Sequence, residues 1–399
     1  MREGPERIPV VVDDAYDDIA RRIARRIAAI IRERESDGRR AVLGLATGST
    51  PIGVYRELIR LHREDGLDFS RVVTFNLDEY YPMPPDSLHS YRRFMRENFF
   101  EQVNLDPRST HVPCGDIPRA EVEAHCEDYE RRIREAGGID FQILGIGQTG
   151  HIGFNEPGSS PASRTRLIVL DTITRRTAAG DFFGTENVPV EAITMGVATI
   201  LEAREIALVA TGEHKAAIVQ RAVEGEIDRS IAASYLQEHP HATVYLDRAA
   251  AAELTRRKAP WLLGEIEWTP ALEIQAVIWL SQATGKSVLK LDEVDYREHR
   301  LNGLLARHES AWALNGLVFN ALSAKIRGRS RLPQGRRVVV FSPHPDDDVI
   351  SAAGIVHKLH QNQNTIVTAY QTSGNIAVFD HEVRRYLDFL RRTAVDFEY

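Results

Sequence analysis

Between Gly145 and Pro157 the chain reads Gly145-Ile146-Gly147-Gln148-Thr149-Gly150-His151-Ile152-Gly153-Phe154-Asn155-Glu156-Pro157. A histidine titrates near neutrality and can move protons at physiological pH, and a carboxylate a few residues away, Glu156, can orient its ring. The glycines let the backbone turn tightly. The apolar run ahead of them, Phe141 to Leu144, reads as a buried strand. Open α/β sheets place their ligands in irregular loops at the carboxyl ends of such strands. The segment is therefore a candidate for binding and proton transfer.

Three further groups that carry chemistry lie within residues 1–260. Asp78 and Glu79 follow the apolar stretch Val72 to Leu77. One carboxylate there can act as a general base tuned by partial burial, or it can cap a helix. Thr47-Gly48-Ser49-Thr50 offers hydroxyls, a flexible backbone and a helix N-terminus, which together can cradle a phosphate. The spacing is not that of a P-loop. Lys215 opens a helical stretch and can supply a cation to an anionic substrate. A separate motif, Ser342-Pro343-His344-Pro345-Asp346-Asp347-Asp348, stands near the other end.

The elements that must position these groups follow from periodicity. Ile19, Ile23, Ile27 and Ile31 recur every four residues across 14–34, an amphipathic helix whose arginines form the wet face. Strands are expected at 41–45, 72–77, 141–146, 205–211 and 242–247. Helices are expected at 52–62, around Tyr91 to Phe100, and at 213–224. Strands alternating with helices imply an α/β fold with a doubly wound parallel sheet over residues 1–260. Residues 261–324 read as a helical connector holding all four tryptophans, whose expected role is packing. Residues 325–336 form a basic linker with Lys325, Arg327, Arg329, Arg331 and Arg336. Residues 337–399 begin a partial second Rossmann-like unit, with strands at 337–341 and 365–370 around a helix at 349–360.

Composition bounds the class of function. The chain has 399 residues, 43% hydrophobic and 27% charged, which suits a globular protein of two or three domains. No apolar run approaches the roughly 20 residues that cross a bilayer, and the N-terminus lacks the apolar core of a signal peptide. Cys114 and Cys126 cannot build a disulfide framework and match no metal-ligand spacing, so a cytoplasmic setting is expected. A net charge of −7 argues against nucleic acid as a partner. A small molecule is the expected partner, with no membrane, and a homo-oligomer is left open.

Taken together these residues resemble the glucosamine-6-phosphate deaminase family over about residues 9–260. The resemblance rests on Leu45-Ala46-Thr47-Gly48-Ser49-Thr50-Pro51, on Val73 to Tyr80, on Ser90-Tyr91 with Asn98-Phe99-Phe100, and on Gly150 to Pro157. Ser163-Arg164-Thr165-Arg166 and Thr194-Met195-Gly196-Val197 extend it. The 6-phosphogluconolactonases share the Gly-His turn but lack the Phe-Asn-Glu-Pro continuation. The resemblance implies a cofactor-free isomerisation of an amino-sugar phosphate with loss of ammonia, giving fructose 6-phosphate. His151, oriented by Glu156, would assist ring opening, and Asp78 would carry the proton from C2 to C1. Thr47, Gly48, Ser49, Thr50 and Lys215 would hold the phosphate.

The sequence departs from the family pattern twice. Thr149 stands where the family commonly has Asp, two residues before the loop histidine. Asp181 precedes Phe182-Phe183 where the family commonly has a phosphate-binding Arg, with Arg175 and Arg176 nearby as substitutes. These departures keep two alternatives open: a non-catalytic sugar-phosphate-binding or regulatory module, and a deaminase of a different amino sugar. The motif at His344 resembles the start of the zinc-dependent N-acetylglucosaminyl deacetylases. There His344 and Asp347 would bind zinc and Asp346 would act as base, with a third ligand far downstream. His357, His360 and His381 are local candidates for that ligand. The expectation is an incomplete motif without a competent zinc site.

Overall fold

The computed structural model describes residues 5–326 and 332–372, together with 384, 385, 387, 388 and 391. Arg327, Arg329 and Arg331 of the expected linker, and His381, lie outside the described residues. The chain divides into two compact units, Met1–Thr269 and Pro270–Tyr399.

The first unit is built on a seven-stranded parallel sheet. Its strands are β1 (Val10–Asp13), β2 (Val42–Leu45), β3 (Val73–Asn76), β5 (Thr110–His111), β6 (Phe141–Gly145), β9 (Glu205–Ala210) and β10 (Ala242–Asp247). Their spatial order is β1-β10-β9-β6-β2-β3-β5. From β2 the chain winds outward to β3 and β5; from β6 it winds the other way to β9 and β10. The sheet's switch point therefore lies between β2 and β6, where a doubly wound sheet opens its ligand crevice.

Strand side chains alternate between two cores, as the two-residue period requires. Leu43, Leu45, Phe141, Ile143, Ala207 and Val209 face one helical layer. That layer contains α1 (Tyr16–Ser36), α2 (Ile52–Asp65) and α3 (Tyr91–Asn98). The four isoleucines of the α1 repeat are buried there. On the wet side of α1, Arg22 pairs with Asp13 at 2.8 Å and Arg26 with Glu205 at 2.9 Å. Val42, Val73, Phe75, Leu144, Ile206 and Leu208 face the opposite layer. Tyr129 and Ile133 of α4 (Val122–Glu135) are buried there, with Ile218 and Val219 of the helix Ala216–Glu224.

A second, three-stranded antiparallel sheet was not anticipated. It joins β4 (Asp78–Tyr81), β8 (Glu191–Thr194) and β7 (Arg166–Val169) in the order β4-β8-β7. The chain leaves the parallel sheet at Leu77, whose N–H donates to the Leu45 carbonyl (3.0 Å) while its own carbonyl accepts from Met195 N (2.7 Å). Asp78 begins the new strand at that junction, so the strand expected to end there instead changes sheets.

In the second unit, helices Pro270–Thr284, Glu293–Glu298, Asn302–Leu305 and Ala311–Ile326 bury Leu280, Tyr296, Leu304 and Leu314. Tyr296 donates from its hydroxyl to Asn315 Oδ1 at 2.6 Å. Lys325 lies in the last of these helices rather than in a linker. Trp279 meets His299 edge-on and Trp312 is exposed, whereas Trp261 and Trp268 stack on each other within the first unit. Further along, β11 (Arg337–Ser342) and β12 (Thr365–Tyr370) pair in parallel. The helix expected at 349–360 is two helices, Asp347–Ile350 and Ala353–Gln361.

Candidate active site

A cavity of about 280 Å³ sits at the switch point and is lined by Thr47, Gly48, Ser49, Thr50, Asp78, Thr149, His151 and Lys215. Thr47 to Thr50, Asp78, Thr149, His151 and Lys215 thus share one space, whereas Glu79, Glu156, Arg175 and Arg176 do not line it and Glu156 lies 3.3 Å from His151 Nδ1. Three local folds produce this convergence.

The Thr47–Thr50 turn joins β2 to α2. Gly48 holds φ +95°, a left-handed conformation that favours glycine. Two tyrosines pin the turn from below: Tyr55 donates to the Ala46 carbonyl at 2.5 Å, and Tyr16 donates to the Thr50 carbonyl while accepting from Gly53 N at 2.7 Å. Thr47, Gly48, Ser49 and Thr50 all line the cavity just ahead of α2.

Asp78 and Glu79 have opposite environments. Glu79 accepts from Tyr80 N, Tyr91 N and Arg92 N at 3.0 Å each, and from Ser90 Oγ at 2.8 Å. It is the anionic anchor of the first turn of α3, where a negative charge is favoured. Asp78 is 6% exposed and its carboxylate accepts no hydrogen bond from the described residues. Burial, reinforced by the neighbouring Glu79 charge, pushes its pKa up to about 8. Glu79 is therefore the capping acid and Asp78 the one open to a ligand.

The Gly145–Pro157 loop is tightly self-bonded. Gly147 N donates to the His151 carbonyl at 2.9 Å, and a Cβ on Gly147 would fall 2.1 Å from the imidazole. At Gly153, φ +55°, an added Cβ would stand 3.4 Å from the Asp78 carboxylate. Asn155 locks the loop end, donating to the Ile152 and Met195 carbonyls (2.9 and 2.8 Å) and accepting from Arg166 at 3.0 Å.

His151 Nδ1 lies 2.9 Å from Thr149 Oγ1 and 3.3 Å from Glu156 Oε2. Thr149 thus keeps a polar contact to the ring at the position where the sequence departs from the family pattern. With Nδ1 committed, Nε2 is the nitrogen left for a ligand. Burial pushes the Glu156 carboxyl up, but the hydrogen bond and charge of His151, aided by Thr174 and the Asp171 backbone, outweigh it and hold the pKa below the usual value.

The end expected to receive a phosphate is sparser. Lys215 is the one Lys or Arg among the described residues lining the cavity, and burial lowers its pKa. Asp181, an exposed residue, also lines the cavity. Arg175 and Arg176 do not replace the missing arginine: neither lines the cavity, and Arg175 is spent on the Thr185 and Val188 carbonyls at 3.1 Å each. The helix Thr172–Ala178 contributes Thr174 and Thr177 to the wall, residues that the sequence reading missed. Two threonines three apart on one helix face were the available signal.

The residues matched by the family model for glucosamine-6-phosphate isomerases/6-phosphogluconolactonase run from 14 to 246 and enclose this whole constellation. The chain belongs to that family. A glucosamine-6-phosphate deaminase of Halothermothrix orenii is 46% identical over 246 residues, covering 61% of this chain and 99% of its own length. A glucosamine-6-phosphate deaminase-like protein of Bacteroides thetaiotaomicron is 44% identical over 399 residues, covering 96% of this chain. The chain spans 60% of that relative's length. A solved monomeric glucosamine-6-phosphate deaminase superposes with a TM-score of 0.59 at 41% identity, over 62% of this chain and all of its own.

The second candidate site lies in the other unit. His344 Nδ1 is 3.0 Å from Asp347 Oδ2, which also accepts from His344 N at 3.1 Å. Asp346 precedes the short helix and is exposed. His357 pairs with Gln361 at 3.0 Å, and His360 is exposed on the helix Ala353–Gln361. Catalytic zinc takes three protein ligands. Among the described residues no group of three or more His, Cys, Asp or Glu is placed to hold a metal ion. The residues described do not fit a zinc centre.

Proposed function

We propose that the first unit is an isomerising deaminase of glucosamine 6-phosphate, acting without a metal or cofactor and releasing ammonia to give fructose 6-phosphate. The observation that carries this reading is Asp78: a buried carboxyl without a hydrogen-bond donor, in one cavity with an imidazole whose Nδ1 is already committed. His151 Nε2 moves the proton between the anomeric hydroxyl and the ring oxygen, opening the sugar, while Glu156 and Thr149 hold the ring. Asp78 then takes the C2 proton and returns it at C1. The resulting imine takes up water and expels ammonia. A substrate ammonium beside Asp78 favours the ionised carboxylate, so binding itself prepares the base. Thr47 to Thr50 and Lys215 receive the phosphate.

We further propose that residues 337–399 are deacetylase-like, supported by the parallel β11–β12 pair and the His344–Asp347 contact in the loop after β11. A deacetylase exposes an amino sugar and a deaminase removes the amine, so the two chemistries are consecutive. The free thiols of Cys114 and Cys126 suit a reducing, cytoplasmic setting.

Ammonia release from glucosamine 6-phosphate tests the main reading, with Asp78→Asn and His151→Gln beside the unaltered chain. Loss of turnover in both variants is expected. No ammonia from the folded, unaltered chain would overturn it and favour the binding-module alternative.

A further inference from the structure

A second cavity, of about 640 Å³, opens at the sheet edge beside β5 and shares no lining residue with the first. Phe100, Leu105, Val112 and Tyr129 give it an apolar and aromatic wall. Arg92, Arg96, Arg108 and Arg132 line it against only two acids, Glu101 and Asp128. Three of those arginines are engaged: Arg96 with Asp86 at 3.3 Å, Arg108 with Asp106 at 2.9 Å and Arg132 with Asp128 at 2.6 Å. Arg92 forms no ion pair among the described residues, although its backbone N–H is held by Glu79. A fixed backbone thus presents an uncommitted guanidinium.

Two imidazoles join it. His111 stacks on Phe75 at 4.6 Å, and its ring nitrogens meet no protein partner among the described residues. His125 Nε2 accepts from Cys114 N at 3.0 Å, which leaves the proton on Nδ1 as a donor. Burial, with Arg132 and Arg92 nearby, holds both rings below their usual pKa. A guanidinium fork and imidazole donors around one space match the three acceptor oxygens of a phosphoryl group better than the two of a carboxylate. The aromatic wall gives an attached organic body somewhere to pack.

We infer that this cavity is a binding site for a small organic phosphate, held through its phosphoryl group by Arg92 with His111 and His125. The inference does not depend on the deaminase reading, because no group of the first cavity takes part. Sugar phosphates and nucleoside monophosphates share this chemistry, and the experiment separates them.

Calorimetric titration of the full chain with glucose 6-phosphate and with AMP is the test, inorganic phosphate serving as the bare anion. Lys215→Ala removes the cation of the first cavity, and Arg92→Ala and Arg92→Glu alter the second. The Arg92 side chain is exposed and without an ion pair, so both substitutions leave the fold intact. At least one probe is expected to bind Lys215→Ala as it binds the unaltered chain, and to bind both Arg92 variants about tenfold more weakly or worse, a loss of about 1.4 kcal/mol. Binding of the sugar phosphate alone identifies a sugar body, and binding of AMP alone a nucleoside. Failure of both probes to bind, or binding that ignores Arg92 and disappears with Lys215→Ala, overturns the proposal.

Discussion

Asp78 and Glu79 are adjacent acids that the backbone turns to opposite uses. Four donors converge on Glu79, and none on Asp78. Because burial lifts the Asp78 pKa from 3.8 to about 8, the native protein binds more protons than the unfolded chain between those values. Stability therefore falls as pH rises through that window. Asp78→Asn removes the penalty, so its melting temperature at pH 8 should exceed that of the unaltered chain while turnover drops about 10²–10⁴-fold. A melting temperature that is lowered at pH 8 would refute the buried-base assignment. The same pKa sets the pH profile. A base must be ionised to act, so kcat/KM should climb with pH and level off above about 8. Asp181 gives a third test at this scale. An acid beside a phosphate site weakens anion binding, so Asp181→Arg should lower KM for glucosamine 6-phosphate about tenfold with little change in kcat. An unchanged KM would show that Asp181 does not feel the phosphate.

At the scale of elements, the proposed role of the Gly145–Pro157 loop depends on glycine at position 147. A Cβ there would fall 2.1 Å from the His151 ring, and neither partner has room to yield without disturbing the contact to Thr149 and Glu156. Gly147→Ala should cut kcat by roughly 10²-fold, the scale of a misplaced catalytic group, while leaving the melting temperature nearly unchanged. A melt that collapses with the rate would mark Gly147 as a folding position instead. Five of the seven parallel strands, β2, β3, β6, β9 and β10, were legible as apolar runs, whereas β1 and β5, half-buried at the two edges of the sheet, were not. Nor was the antiparallel sheet. β7 is Arg166-Leu167-Ile168-Val169 and β8 is Glu191-Ala192-Ile193-Thr194, four residues each and partly polar, below what periodicity can detect. That gap explains why Asp78 was found as an acid at a strand end but not as the first residue of a new sheet. The convergence of Thr47–Thr50, Asp78, His151 and Lys215 was legible from the topology alone. The cavity-facing Asp181 and the bonding of Arg175 to carbonyls were not, since spacing says nothing about where a loop side chain turns.

For the whole molecule, the family relationship and the chain's own division meet at nearly the same place. The family model ends at residue 246 and the first compact unit at Thr269. The Halothermothrix orenii relative covers 99% of its own length with 61% of this chain, so a comparable length suffices there for an entire protein. Both layers of the parallel sheet, the cavity and all of its lining residues fall within the first unit. A domain that owns its core can fold alone. The chain ended after Thr269 should therefore release ammonia from glucosamine 6-phosphate within about twofold of the full chain's rate, and chelation with EDTA should change neither rate. The same cut removes His344 and Asp347, so a fall in turnover would assign the second unit a part in the deaminase reaction. A fall on chelation that added zinc restores in the full chain alone would place that part at the His344–Asp347 pair, although no group of three candidate ligands stands there among the described residues.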